Sequence, residues 1–218
     1  MKIDYRLYLV TDRRAIKGKS LAEAVEEAIL GGCTMVQLRE KNITIREFYQ
    51  LAKEIKQITD YYQIPFMIND CLDVALAVKA DGIHIGQKDM PVKVVKEMIP
   101  QDMLLGVSVT NEEEALMAEK YGVDYLGIGA VFPTKTKMDA DFVPISKLCD
   151  IRKSVKIPIV AIGGITAENV SLLSKTQIDG IAVSSAILAK NDIKSAADEL
   201  KNNYYYIGGL CCLTKYEY

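Results

Sequence analysis

The sequence predicts a single closed (β/α)8 TIM barrel of the α/β class, and three observations carry that prediction. Short β-branched apolar runs alternate strictly with longer amphipathic stretches, and there are eight of each. The 218 residues divide into units of about 27, close to the smallest length that a strand-plus-helix repeat needs. The apolar runs are continuous rather than alternating, as in a parallel sheet buried on both faces. A doubly wound open sheet is the competing architecture, but no Gly-x-Gly-x-x-Gly follows the first strand and no Walker-type loop occurs.

The strands are expected at Leu7–Thr11, Met35–Arg39, Pro65–Asn69, Gly82–Gly86, Leu104–Val109, Tyr125–Val131, Ile157–Ile162 and Gly180–Ser184. The helices are expected at Leu21–Leu30, Thr44–Tyr61, Leu72–Lys79, Val92–Ile99, Asn111–Tyr121, Ile145–Ser154, Ala167–Ser174 and Ile193–Asn203. In the first helix Leu21, Ala24, Val25, Ala28 and Ile29 recur at three- and four-residue steps and line one face. Ser20 with Glu23, and Asn111 with Glu114, have the spacing of capped helix starts. Gly31-Gly32 and Gly122 stand where helices end. The eight units are complete by Asn203, so residues 1–203 form the barrel domain and residues 204–218 are expected to be an irregular C-terminal tail. Within it Tyr204-Tyr205-Tyr206-Ile207 reads as an extra strand or a continuation of the last helix, which Gly208-Gly209 then breaks.

Composition narrows the function classes. With 27 Lys and Arg against 29 Asp and Glu, the net charge of −2 excludes a strongly basic nucleic-acid footprint across the whole protein. No run of about 18 apolar residues occurs, and the start Met1-Lys2-Ile3-Asp4-Tyr5-Arg6 is too polar for a signal peptide. A cytoplasmic protein with neither membrane nor nucleic-acid partners is expected; whether it is a homo-oligomer is left open. The five cysteines are odd in number and form no Cys-x-x-Cys pair, so neither a disulfide framework nor a zinc site is indicated. The single histidine, His84, excludes metal sites built on several histidines. An enzyme with this inventory works with carboxylates, lysines, hydroxyls and backbone groups.

Polar residues concentrate at the C-terminal ends of the strands, which in a barrel is the catalytic face. Strand two ends in Gln37-Leu38-Arg39-Glu40-Lys41, where alternation points Gln37, Arg39 and Lys41 the same way. Strand three ends in Asn69-Asp70, and strand four runs through His84 to Gln87-Lys88-Asp89. Strand five carries Ser108, and Thr134-Lys135-Thr136-Lys137 follows strand six. Strand seven ends in Gly163-Gly164 and strand eight in Ser184-Ser185. Each has an ordinary reading on its own: a solvated loop, an N-cap for Asn69-Asp70, a tight turn for the glycines, a satisfied core residue for His84. That account must then hold separately at seven consecutive strand ends.

Taken as a set, these residues imply one chemistry. Asp70 and Asp89, separated acids at neighbouring strand ends, suit Mg²⁺, which takes one or two carboxylates and completes its shell with water and phosphate oxygens. Arg39, Lys41 and Lys137 supply positive charge for a pyrophosphate. The glycine-lined ends of strands seven and eight, followed by helix starts, make the usual barrel site for a monophosphate.

At this point the residues resemble a family. Gln37-Leu38-Arg39-Glu40-Lys41, Ile68-Asn69-Asp70, Gly82-Ile83-His84-Ile85-Gly86-Gln87-x-Asp89, Pro133-Thr134-x-Thr136-Lys137 and Ala161-Ile162-Gly163-Gly164-Ile165 resemble, in order and spacing, the thiamine-phosphate synthase family. The likeness runs from Leu7 to Ile187 and excludes the tail after about Asn203. It implies a transferase on a TIM barrel, Mg²⁺-dependent, that joins 4-amino-2-methyl-5-(diphosphooxymethyl)pyrimidine to a thiazole phosphate and releases pyrophosphate. By the same resemblance Gln37, Arg39, Lys41 and Asn69 hold the pyrimidine diphosphate, and Asp70 and Asp89 bind the metal. Ser108 and Lys137 touch the pyrimidine or its diphosphate. Thr134, Thr136 and the backbone at Gly164, Ser184 and Ser185 grip the thiazole phosphate. Two rivals share the barrel: a thiazole tautomerase, which would not need the diphosphate set, and a non-catalytic thiazole phosphate-binding sensor.

Overall fold

The computed structural model describes residues 3–134 and 142–212. Eight strands, β1 (Leu7–Val10), β2 (Met35–Leu38), β3 (Phe66–Asn69), β4 (Gly82–Ile85), β5 (Leu104–Val109), β6 (Tyr125–Ile128), β7 (Ile159–Ile162) and β8 (Gly180–Val183), pair in sequence order and close β8 onto β1. Every pairing is parallel. The helices are α1 (Leu21–Leu30), α2 (Ile45–Tyr61), α3 (Leu72–Ala77), α4 (Val92–Met98), α5 (Glu112–Lys120), α6 (Ile145–Ser154), α7 (Ser185–Leu188) and α8 (Ile193–Cys212). The expected closed barrel is the observed one.

Strand residues divide between two cores by parity. Leu7, Leu9, Val36, Leu38, Ile68 and Ile83 face outward into the layer beneath the helices. Tyr8, Val10, Met35, Met67, Tyr125, Val160 and Ala182 fill the barrel itself. The period of two along each strand makes this division. Helix α1 buries the five residues that the spacing selected, and Ser20 and Glu23 form a reciprocal capping box, Ser20 N–H to Glu23 Oε2 at 2.7 Å and Glu23 N–H to Ser20 Oγ at 3.2 Å. At α5, Asn111 caps Glu114 N–H, but the Glu114 carboxylate turns to Thr110 N–H instead.

Two expectations are corrected. The stretch Ala167–Ser174 is not an α-helix; only Val170–Leu173 winds, as a 3-10 turn. Asn169 is the reason: its side chain accepts from Thr166 N–H at 2.9 Å and donates to Gly164 O at 2.8 Å, drawing the backbone into a turn. Second, the chain does not become irregular at Tyr204, for α8 continues to Cys212; residues 213–218 lie outside the described residues. Two glycines cost a helix roughly 1 kcal/mol each without forbidding it, and Tyr204 anchors α8 by donating to Ile178 O at 3.1 Å. Ile178 precedes β8, so this contact lies at the N-terminal face of the barrel.

Candidate active site

Because all eight strands run parallel in a closed ring, their C-terminal ends share one rim. At the end of β2 the side chains part. Arg39 N–H donates to Thr11 Oγ1 at 3.0 Å, which ties β2 to β1. Glu40 is buried and turns away to Arg13. Lys41 ion-pairs with Asp70 beyond β3. Asp70 sits in the left-handed region at φ +48°, which aspartate tolerates better than most residues, and its N–H binds His84 O at 2.9 Å. Helix α3 starts from Cys71 with no side-chain cap, so Asn69 and Asp70 are not capping residues. Asp89 Oδ2 accepts Gly86 N–H at 2.7 Å, and Gln87 Nε2 donates to Ser108 O at 2.8 Å, which fastens the loop after β4 to β5.

Inside the rim runs a chain of hydrogen bonds that crosses the barrel. Gln37 Nε2 donates to Tyr8 Oη at 2.7 Å, and Tyr8 Oη lies 3.0 Å from Tyr125 Oη. Tyr125 Oη lies 2.9 Å from His84 Nδ1, and His84 Nε2 lies 2.9 Å from Ser108 Oγ. Burial pushes both phenols well above the ordinary tyrosine value, so they stay protonated. Space for the chain comes from Gly106 on β5, where a Cβ would overlap the Tyr125 ring and lie 2.5 Å from His84 Nδ1. Reasoning from sequence missed Tyr8 and Tyr125, because an aromatic in an apolar strand reads as core.

Across the barrel, the loops after β6 and β7 are stitched together, Val131 N–H to Ile162 O and Phe132 N–H to Gly163 O, each at 3.0 Å. Gly164 has φ +66°, and a Cβ on it would lie 2.5 Å from Pro133 O, so only glycine allows this approach. Thr134 continues from that contact. Ser184 Oγ, where β8 passes into α7 and Ser185, is buried with no hydrogen-bond partner among the described residues. An orphaned buried hydroxyl is rare and suits a ligand oxygen. Thr136 and Lys137 lie outside the described residues.

Asp70 and Asp89 present hard carboxylate oxygens at neighbouring strand ends. Among the described residues no group of three or more His, Cys, Asp and Glu could hold a metal ion. Two carboxylates without further ligands are the donor chemistry that an ion such as Mg²⁺ takes, its shell completed by water and phosphate oxygens.

A closed (β/α)8 barrel whose strand ends gather charged groups, glycines and an orphaned hydroxyl on one rim has the architecture of a barrel enzyme. The family profile described as thiamine monophosphate synthase matches residues 7–187, and the chain belongs to that family. As a member it is a transferase of thiamine biosynthesis. It is 57% identical over 198 residues to thiamine-phosphate synthase of Clostridium tetani, covering 91% of this chain and 95% of that one. It is 52% identical over 204 residues to the Clostridium botulinum protein of the same name, covering 93% and 100%. Among solved structures it resembles thiamine phosphate pyrophosphorylase from Pyrococcus furiosus with a TM-score of 0.87 at 45% identity, covering 94% of this chain and 98% of that one. Among the described residues no helix is long and apolar enough to cross a membrane.

Proposed function

We propose that the barrel joins 4-amino-2-methyl-5-(diphosphooxymethyl)pyrimidine to a thiazole phosphate, forming thiamine phosphate and pyrophosphate. The observation that carries this reading is the division of the mouth: Arg39, Lys41, Asn69, Asp70 and Asp89 on the ends of β2 to β4, and Gly164, Ser184 and Ser185 on the ends of β7 and β8. The two sides suit a diphosphate and a phosphate monoester respectively.

In the reaction the bond from the pyrimidine CH₂ to the diphosphate oxygen breaks, and its electron pair leaves with pyrophosphate. The electron-rich aminopyrimidine delocalises the positive charge left on carbon. The thiazole nitrogen lone pair then forms the new C–N bond, so no protein nucleophile or general base is needed. Arg39, Lys41 and Lys137 stabilise charge as it develops on the leaving group. Gln37, Asn69 and Ser108 orient the pyrimidine diphosphate, and Thr134, Thr136, Ser184, Ser185 and the Gly164 backbone hold the thiazole phosphate in line behind the carbon. When bound at Asp70 and Asp89, Mg²⁺ supplies Lewis-acid neutralisation of the diphosphate oxygens. The enzyme works in the cytoplasm with these small molecules as its partners, a compartment that suits the free thiols of Cys33, Cys71 and Cys149.

The test is pyrophosphate release on mixing both substrates with Mg²⁺. Release that needs both substrates is the expected result. Isomerisation of the thiazole phosphate without release would return the tautomerase, and binding with neither would return a sensor.

A further inference from the structure

We propose that the hydrogen-bond chain from Gln37 to Ser108 runs in one direction, and that it thereby sets what its two ends offer the pyrimidine: a carbonyl acceptor from Gln37 and a hydroxyl donor from Ser108. This rests on the reading of the mouth as a pyrimidine diphosphate site. Gln37 donates one of its two amide N–H bonds to Tyr8 Oη at 2.7 Å, and that setting of the amide keeps Oε1 as an acceptor for a ligand. A phenol has one proton to give, so Tyr8, accepting from Gln37, donates to Tyr125 Oη at 3.0 Å. Tyr125 in turn donates to His84 Nδ1 at 2.9 Å. An imidazole that accepts at Nδ1 carries its proton on Nε2 and donates to Ser108 Oγ at 2.9 Å. Ser108 then has its own proton left for the ligand. Burial holds both phenols protonated, so neither link drops out as a phenolate.

The two ends match an aminopyrimidine, whose exocyclic amine donates while its ring nitrogens and diphosphate accept. A 4-oxo analogue would set a carbonyl against the Gln37 carbonyl. Tyr8, Tyr125 and His84 are thus positioning residues that select the amine without touching it.

His84 is the one histidine in the sequence, so nitrogen-15 histidine labelling yields a spectrum of this residue alone. The substrate-free wild-type protein is expected to show the Nε2-protonated tautomer at neutral pH. An Nδ1-protonated or doubly protonated ring reverses the chain and overturns the proposal. In Tyr125→Phe and Tyr8→Phe, the preference in kcat/KM for the 4-amino over the 4-oxo pyrimidine diphosphate should fall about tenfold or more, while KM for the thiazole phosphate holds. Folded variants that keep the wild-type preference overturn the proposal. If the wild type releases no pyrophosphate, the proposed activity fails, and the tautomer of His84 still decides the direction of the chain.

Discussion

Arg13 and Glu40 meet in a two-point ion pair, Nε to Oε1 at 2.9 Å and Nη2 to Oε2 at 2.8 Å, that joins the turn after β1 to the end of β2. Glu40 stands between Arg39 and Lys41 in the chain, yet its side chain is only 6% exposed and points at Arg13. The pair keeps a carboxylate away from the side of the mouth proposed to take the diphosphate. Arg13 is 42% exposed, so solvent screening moderates the pair's worth. Arg13→Ala should cost about 1–2 kcal/mol, because it strands a buried carboxylate, and should raise KM for the pyrimidine diphosphate. Thermal melts and steady-state kinetics check both; an unaltered melting temperature refutes the structural half.

Asp70→Asn and Asp89→Asn should each lower kcat/KM by about a hundredfold or more, since each removes a carboxylate charge from the proposed Mg²⁺ site. EDTA should abolish turnover and added Mg²⁺ restore it. Activity that survives EDTA would show that the two acids serve another purpose.

Removal of the Ser184 hydroxyl separates binding from stability. Its Oγ is buried without a partner among the described residues, so Ser184→Ala should leave the melting temperature unchanged or raise it. If the hydroxyl binds the thiazole phosphate, KM for that substrate should rise roughly tenfold or more, the value of a hydrogen bond to a charged group. A lower melting temperature with unchanged KM would reverse the assignment.

Gly106→Ala tests the packing of the barrel interior. The added Cβ overlaps Tyr125 and crowds His84 Nδ1, both held by rigid neighbours. Overpacking of this kind costs about 1–3 kcal/mol. Denaturant unfolding would measure it, and a neutral result would mean that the Tyr125 ring shifts freely.

Truncation after Asn203 should leave the chemistry intact and lower stability by about 1 kcal/mol through the lost Tyr204 bond to Ile178 O. That bond lies at the face opposite the mouth. A folded, truncated protein without turnover would show that the C-terminal segment reaches the active site.

Much of the barrel was legible because its signals are local. Continuous apolar runs marked the strands, and the face of Leu21 to Ile29 marked α1. The 3-10 turn at Val170–Leu173 was not legible, because what unwinds the helix is the Asn169 side chain holding Gly164 and Thr166. The length of α8 was misread because two glycines weaken a helix without ending it, and the Tyr204 anchor lies on another element.

The sequence by itself determined the rhythm of eight strand–helix units and which residues stand at the strand ends. Both follow from periodicity and spacing along the chain. Only the tertiary structure decided which of those residues meet: Lys41 with Asp70, Arg13 with Glu40, and Tyr8 with Tyr125 from 117 positions away. Strand tilt and closure choose which inward side chains share a level in the barrel, and those belong to the ring of eight strands together rather than to any one of them.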